Sequence, residues 1–159
     1  MEGEIFVLKS LCIKVNNKNI KNLIKNYDII ADCTDNFTTR FIINKACYNN
    51  NKILVSASLN GFNGMLLSII SGISACLECF YNGINKKDIR NAHYLGILGA
   101  HAGIMGSLQS AEIIKHILGL ENILANKALL VNHINLEYRI REFKKNINCK
   151  VCSDKKLLF

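Results

Sequence analysis

A chain of 159 residues, half of them hydrophobic, fits a soluble globular protein with a real core. Its seven cysteines are an odd set, which argues against a disulfide framework and for a reducing compartment, the cytoplasm. The net charge of +8 invites a nucleic-acid role, but the basic residues are mostly scattered lysines. Arginine stands only at Arg40, Arg90, Arg139 and Arg141, and no stripe with interleaved aromatics forms, so no nucleic acid is expected as a partner. No membrane role is expected either. The start, Met1-Glu2-Gly3-Glu4, is acidic and unlike a signal peptide. The longest apolar stretch, Gly64 to Leu77, is broken by Ser and Gly and falls short of the roughly 18–20 residues of a span.

In chain order, Ile5 to Leu8 and Leu11 to Val15 read as short strands. Asn16 to Tyr27 reads as an amphipathic helix, with Ile20, Leu23, Ile24 and Tyr27 on one face. Asp28 to Cys33 is a continuous apolar run with polar ends, the pattern of a buried parallel strand. Thr34-Asp35-Asn36 then offers capping side chains for a helix from Phe37 to Tyr48, and Ile53 to Ala57 is a second buried strand. Strand and helix alternating in this way predict an open α/β sheet.

Gly61 to Gly64 reads as a turn and Met65 to Ile70 as a strand, followed by an aperiodic surface loop from Phe80 to Leu95. A long helix is expected from Ala102 to Leu118, with Met105, Leu108, Ala111, Ile114 and Ile117 inward and Gly119 as its stop. Lys127 to Val131 and Glu137 to Phe143 complete the chain as a hairpin. With no repeat and no linker, residues 1–159 read as one domain.

Two Cys-x-x-Cys knuckles, Cys76-Leu77-Glu78-Cys79 and Cys149-Lys150-Val151-Cys152, supply the four thiolates of a closed structural zinc site. Ordinary buried cysteines or a redox pair are the other readings, but two coincident spacings favour Zn2+. Four thiolates leave no open position for water, so the metal would be architectural, pinning the C-terminal tail to the middle of the chain. Asp32-Cys33-Thr34-Asp35-Asn36 lies where a strand ends and a helix begins, the place where open α/β sheets bind ligands. A carboxylate there can hold Mg2+ on nucleotide phosphates; a plain N-cap cluster explains the same residues equally well. Gly96, Gly99, Gly103 and Gly106 do not form a phosphate loop and read as close-packing positions. The four histidines show no catalytic spacing, and Cys12, Cys33 and Cys47 read as small buried side chains.

Asp32 to Phe37 with Arg40, Leu54 to Ser58, Gly61-Phe62 with Gly64, Gly103 to Glu112 and both knuckles together resemble the C-terminal part of the ThiF/MoeB/HesA group of ubiquitin-activating-like adenylyltransferases. The wording around Ser56 to Gly64, and Arg90-Asn91 ahead of Gly96, is more similar to the thiazole-synthesis member ThiF than to MoeB. The resemblance implies the C-terminal half of a Rossmann-like doubly wound sheet with a structural zinc site. It further implies an enzyme that uses ATP and Mg2+ to adenylate the C-terminal glycine of a ThiS-like sulfur carrier ending in Gly-Gly, for thiamine thiazole biosynthesis. A MoeB-like role in molybdopterin synthesis is the alternative, as is a degenerate carrier-binding module stabilised by zinc. By this match Asp35 is the carboxylate at the phosphates and metal, Asn36 lies beside it at the nucleotide, and Cys76, Cys79, Cys149 and Cys152 are the zinc ligands.

Three departures accompany the resemblance. The family's Gly-rich N-terminal nucleotide-binding half has no counterpart, so activity is expected only with that half supplied, and the chain is expected to form a homodimer or to associate with it. Ala92 stands where ThiF-like members often carry a cysteine, which argues against a covalent intermediate there. Ala100, Asn63 and Met65 replace the family's Pro, Glu and Gln.

Overall fold

The computed structural model describes residues 7–83 and 96–153. Nine elements follow one another: α1 (Ile20–Ile24), β1 (Ile29–Asp32), α2 (Phe37–Asn49), β2 (Ile53–Asn60), β3 (Asn63–Ile70), α3 (Leu77–Phe80), α4 (Gly99–Ile117), β4 (Lys127–Asn132) and β5 (Glu137–Glu142). The strands form one sheet in sequence order, β1-β2-β3-β4-β5. β1 and β2 are parallel, joined by the α2 crossover, and the remaining pairs are antiparallel. The sheet is therefore mixed, and the expected parallel character is confined to its β1-α2-β2 end.

Period-two alternation along the strands divides the core into two layers. Leu54, Met65, Leu67, Ile69 and Ala128 face one side, where α1, α2 and the cysteine knuckles pack. Val55, Ala57, Leu66 and Val131 face the other, against Met105 of α4. Full burial of such side chains contributes about 1.5–3 kcal/mol each. α4 lies close over β3 because Gly64 has no side chain: a Cβ there would stand 2.6 Å from Met105 Sδ.

The structure revises several expectations. Residues 11–15 form no strand, since no strand among the described residues pairs with them; residues 11–14 are exposed, while Val15 packs against the core. The first helix is shorter than its periodicity suggests, with Ile20 and Ile24 buried. α4 starts at Gly99, and its inward positions are His101, Met105, Gln109 and Glu112, while Ile114 and Ile117 are exposed. Gly119, at φ +64°, ends it as expected. Cys12 and Cys33 are exposed, and of that trio only Cys47 is buried. The Phe80–Leu95 loop from residue 84 onward, including Arg90, Asn91, Ala92 and His93, lies outside the described residues, as do Ile5 and Phe6. Among the described residues no helix is long and apolar enough to cross a membrane.

Candidate functional site

β1 and β2 are parallel, so their carboxyl ends lie together, and α4 crosses that end on one face of the sheet. A cavity of about 560 Å³ opens there. Its lining runs from Cys33, Thr34, Asp35 and Asn36 through Ala57 and Ser58 to Met105, Gly106 and Gln109 of α4, with Tyr81 on another wall. Asp35 is exposed and Asn36 half-buried, both at the rim. Asn36 is the N-cap of α2: its Oδ1 accepts from Thr39 N at 2.8 Å, and its Nδ2 donates to Asp35 Oδ1 at 3.1 Å. Asn36 is thus the cap, and Asp35 beside it lines the cleft.

The neighbouring acid, Asp32, does something different. It is 1% exposed and faces Arg40 Nη1 at 3.0 Å. Ser56 Oγ donates to it at 2.8 Å, and Thr34 donates through both N and Oγ1. Arg40 in turn donates to Ser56 Oγ, to Ala57 O and to Thr34 O. These bonds tie the buried pair to the end of β1, to the turn after it and to β2, which makes it a brace for the cavity floor. On the α4 side Gln109 Nε2 donates to Asp32 O and Val55 O at 3.1 and 2.9 Å, and Cys33 Sγ donates to Gln109 Oε1 at 3.1 Å. Sequence reasoning missed Gln109 and Glu112 because polar residues on a helix read as outward.

Glu112 is buried and accepts from Ser68 Oγ at 2.8 Å, Leu124 N at 2.6 Å and Lys115 Nζ. Burial alone would raise its pKa, but the bonds from Lys115, Leu124 and Ser68 outweigh it and hold the carboxyl below its ordinary value. Of the described histidines, His101 and His133 are buried and meet edge-on with centroids 4.2 Å apart, between Phe62 and Tyr138, while His116 Nε2 lies 3.8 Å from Glu112 Oε1. Burial, then the proximity of His101, pushes His133 down.

The four knuckle cysteines converge. All four are buried, and their sulfurs lie within 4.8 Å of one another. Cys76 and Cys149 are 3.6 Å apart, Cys79 and Cys152 3.2 Å. Tetrahedral coordination at Zn–S distances near 2.3 Å needs sulfurs about 3.8 Å apart, so this cluster fits a zinc ion with small adjustments. Backbone N–H groups are aimed at the sulfurs, from Asn146 to Cys79 and from Val151 and Cys152 to Cys149, as thiolates require. Burial pushes the Cys76 thiol up, and burial with the Cys79 contact pushes Cys152 up to about 12. Burial opposes ionisation of Cys149 too, but the N–H groups of Cys152 and Val151 win and hold it low. A cation among these sulfurs is what would let all four ionise together.

Fold and site together define an α/β domain of Rossmann-like type, with a ligand-sized cleft at its parallel strand ends and a four-cysteine clasp beside it. Residues 5–151 match the model of the ThiF family, and the chain belongs to that family. Over 146 residues it is 36% identical to "Adenylyltransferase and sulfurtransferase MOCS3" of Drosophila ananassae, an alignment covering 91% of this chain and 32% of that protein. It is 34% identical over 136 residues to "Probable molybdopterin-synthase adenylyltransferase" of Gracilaria tenuistipitata var. liui, covering 84% of this chain and 38% of that one. The chain thus spans about a third of the length of the curated relatives it matches. Among solved structures, E. coli MccB with ATP is similar in fold at a TM-score of 0.72 and 17% identity, covering 89% of this chain and 45% of that one. Both relatives named here carry adenylyltransferase names and neither name refers to thiamine, so the ThiF-side wording around Ser56 to Gly64 is not confirmed by them.

Proposed function

We propose that the chain is one part of an ATP-dependent adenylyltransferase that activates the C-terminal carboxylate of a ubiquitin-like sulfur carrier ending in Gly-Gly. One observation carries the reading: Asp35 and Asn36 sit at the carboxyl end of β1, on the rim of a 560 Å³ cavity, where the 13-residue helix α2 begins. A helix N-terminus favours anionic groups, and this one adjoins a carboxylate suited to a phosphate-bound cation.

In the reaction, a carboxylate oxygen of the carrier bonds to the α-phosphorus of ATP. The bond from that phosphorus to the oxygen bridging the α and β positions breaks, and pyrophosphate leaves with the electron pair. The nucleophile loses no proton, because a terminal carboxylate is already ionised at neutral pH. The protein's share is positioning and charge neutralisation. Asp35 would hold Mg2+, whose charge offsets that of the phosphates, and Asn36 orients Asp35 through its amide. Cys76, Cys79, Cys149 and Cys152 would hold Zn2+ as a structural clasp with no part in the chemistry.

Arg40 lines the cavity, but its guanidinium is committed to Asp32 and the strand ends. The cations that grip a triphosphate therefore belong, in this reading, to an N-terminal half or a second subunit. The same commitment supports a second reading, a carrier-binding module without catalysis. The names of the relatives support a carrier of molybdopterin synthesis over the ThiS-like one.

ATP–pyrophosphate exchange decides between these readings, with the chain supplemented by a relative's N-terminal half and offered each type of carrier. We expect exchange that requires the carrier and falls about 100-fold in Asp35→Asn. No exchange with either carrier would rule out the enzyme.

A further inference from the structure

Tyr81 stands at the junction of the cleft and the cysteine clasp. The four-residue helix α3 starts one residue after Cys76, contains Cys79 and ends at Phe80, so the knuckle's geometry fixes where the next side chain emerges. Backbone bonds carry that geometry forward: Cys79 and Phe80 N–H donate to Cys76 O, and Tyr81 N–H to Leu77 O at 3.1 Å. A further bond ties the knuckle to α2, from Leu77 N to Asn44 Oδ1 at 3.0 Å, and Asn44 is fully buried. The Tyr81 ring is then wedged edge-on against Phe37, Phe41 and Phe80, with centroids 5.3, 6.0 and 5.0 Å away. Three aromatic contacts of this kind leave the ring one position.

The ring lines the same cavity as Asp35 and Asn36, on a wall otherwise built of Phe37, Met65 and Leu130. Among the described residues its hydroxyl meets only Met65 Sδ, at 3.7 Å. A thioether sulfur is a weak acceptor, so the phenol keeps most of its donor strength for a better one. A glycine-rich tail in the cleft brings carbonyl oxygens and no bulky side chains, which matches a lone donor on an apolar wall.

We propose that Tyr81 is a substrate-positioning residue: its hydroxyl donates to a carbonyl of the extended peptide tail lying in the cleft, and the cysteine clasp sets its position. This rests on the adenylyltransferase reading for the tail's identity. The geometry gives it two independent consequences, a ligand contact at the hydroxyl and a mechanical link to the metal.

The test is 19F NMR of the 159-residue chain, labelled with 3-fluorotyrosine and held in complex with an unlabelled N-terminal half of a relative, in which Tyr81→Phe assigns one of the chain's five tyrosine signals. Two titrants are used, a synthetic peptide ending in Gly-Gly, raised to millimolar concentration, and exchange of Zn2+ for Cd2+. Both are expected to move the Tyr81 signal, while exposed Tyr27 stays in place. Tyr81→Phe, which keeps the ring, is expected to weaken peptide binding about tenfold and to leave ATP binding unchanged. Equal peptide binding by wild type and Tyr81→Phe, or a Tyr81 signal indifferent to the metal, overturns this inference alone. A wild-type chain that, in complex with a relative's N-terminal half, binds neither peptide nor ATP overturns the inference together with the function beneath it.

Discussion

Two aspartates three residues apart take opposite roles, and the difference lies in their surroundings. Asp32 ends a strand and points inward, so it must be paired; Asp35 follows the turn and reaches the rim. The sequence shows two acids beside a strand end but not which one Arg40 will seize, because that depends on where Ser56, 16 positions after Arg40 and 24 after Asp32, returns in space. Removing Arg40 alone strands a buried carboxylate. Arg40→Met should cost about 3–5 kcal/mol, while Asp32→Leu in the same chain should recover part of it. Denaturant melts check this, and a single-variant loss under about 1 kcal/mol would contradict a dry, paired site. Glu112 gives a pH prediction. Its folded pKa lies below its unfolded value, so its contribution is present above the unfolded value and fades as pH falls through the folded one. Glu112→Gln should therefore flatten the loss of Tm below about pH 5, relative to wild type, and matching acid limbs would refute it.

Elements defined by strong local chemistry were legible. The Asn36 cap, the α2 span, the β2 run and the Gly119 stop rest on near neighbours, and each lies within a few residues of its expected place. α4 was legible in existence and in part of its orientation: Met105 and Leu108 meet the core as expected, whereas Ala111, Ile114 and Ile117 are exposed. Its isoleucines suggest one face, yet the face that packs is set by Gln109 and Glu112, whose acceptors and donors lie on β1, β2, β3 and the segment before β4. Residues 11–15 failed as a strand for a related reason, since a strand needs a neighbour and the described chain offers none. The cysteine pattern was legible because its spacing is itself the mechanism. A metal closing Cys79 onto Cys149 cross-links a loop of some 70 residues, and chain-entropy arguments value such a link at about 4 kcal/mol. Adding a chelator, or making Cys149→Ser, should lower Tm by about 10 °C. An unchanged Tm on chelation would argue that hydrogen bonds and packing hold the C-terminal segment without a metal.

At the scale of the whole molecule, the sheet carries a bare edge. β1 pairs with β2 on one side, and among the described residues nothing pairs on the other, although β1 holds the candidate site at its tip. Apolar side chains are exposed in two further places: Val7, Leu8, Leu11 and Ile13 in the N-terminal segment, and Ile114, Ile117 and Leu118 along α4. An open parallel edge and uncovered apolar faces of this extent mark association surfaces rather than a finished exterior. The proposed function needs the same thing on chemical grounds, since the charges that meet a triphosphate must come from outside this cavity lining. The open edge and the proposed function are both served by a further segment, domain or subunit placed against β1. Sedimentation of the purified chain should show self-association or aggregation at micromolar concentration. Adding a relative's N-terminal half should replace it with a defined complex and protect the β1 amides from hydrogen exchange. A stable monomer whose β1 amides are already protected would mean that the edge is covered from within the chain, and the partner would then be unnecessary for folding.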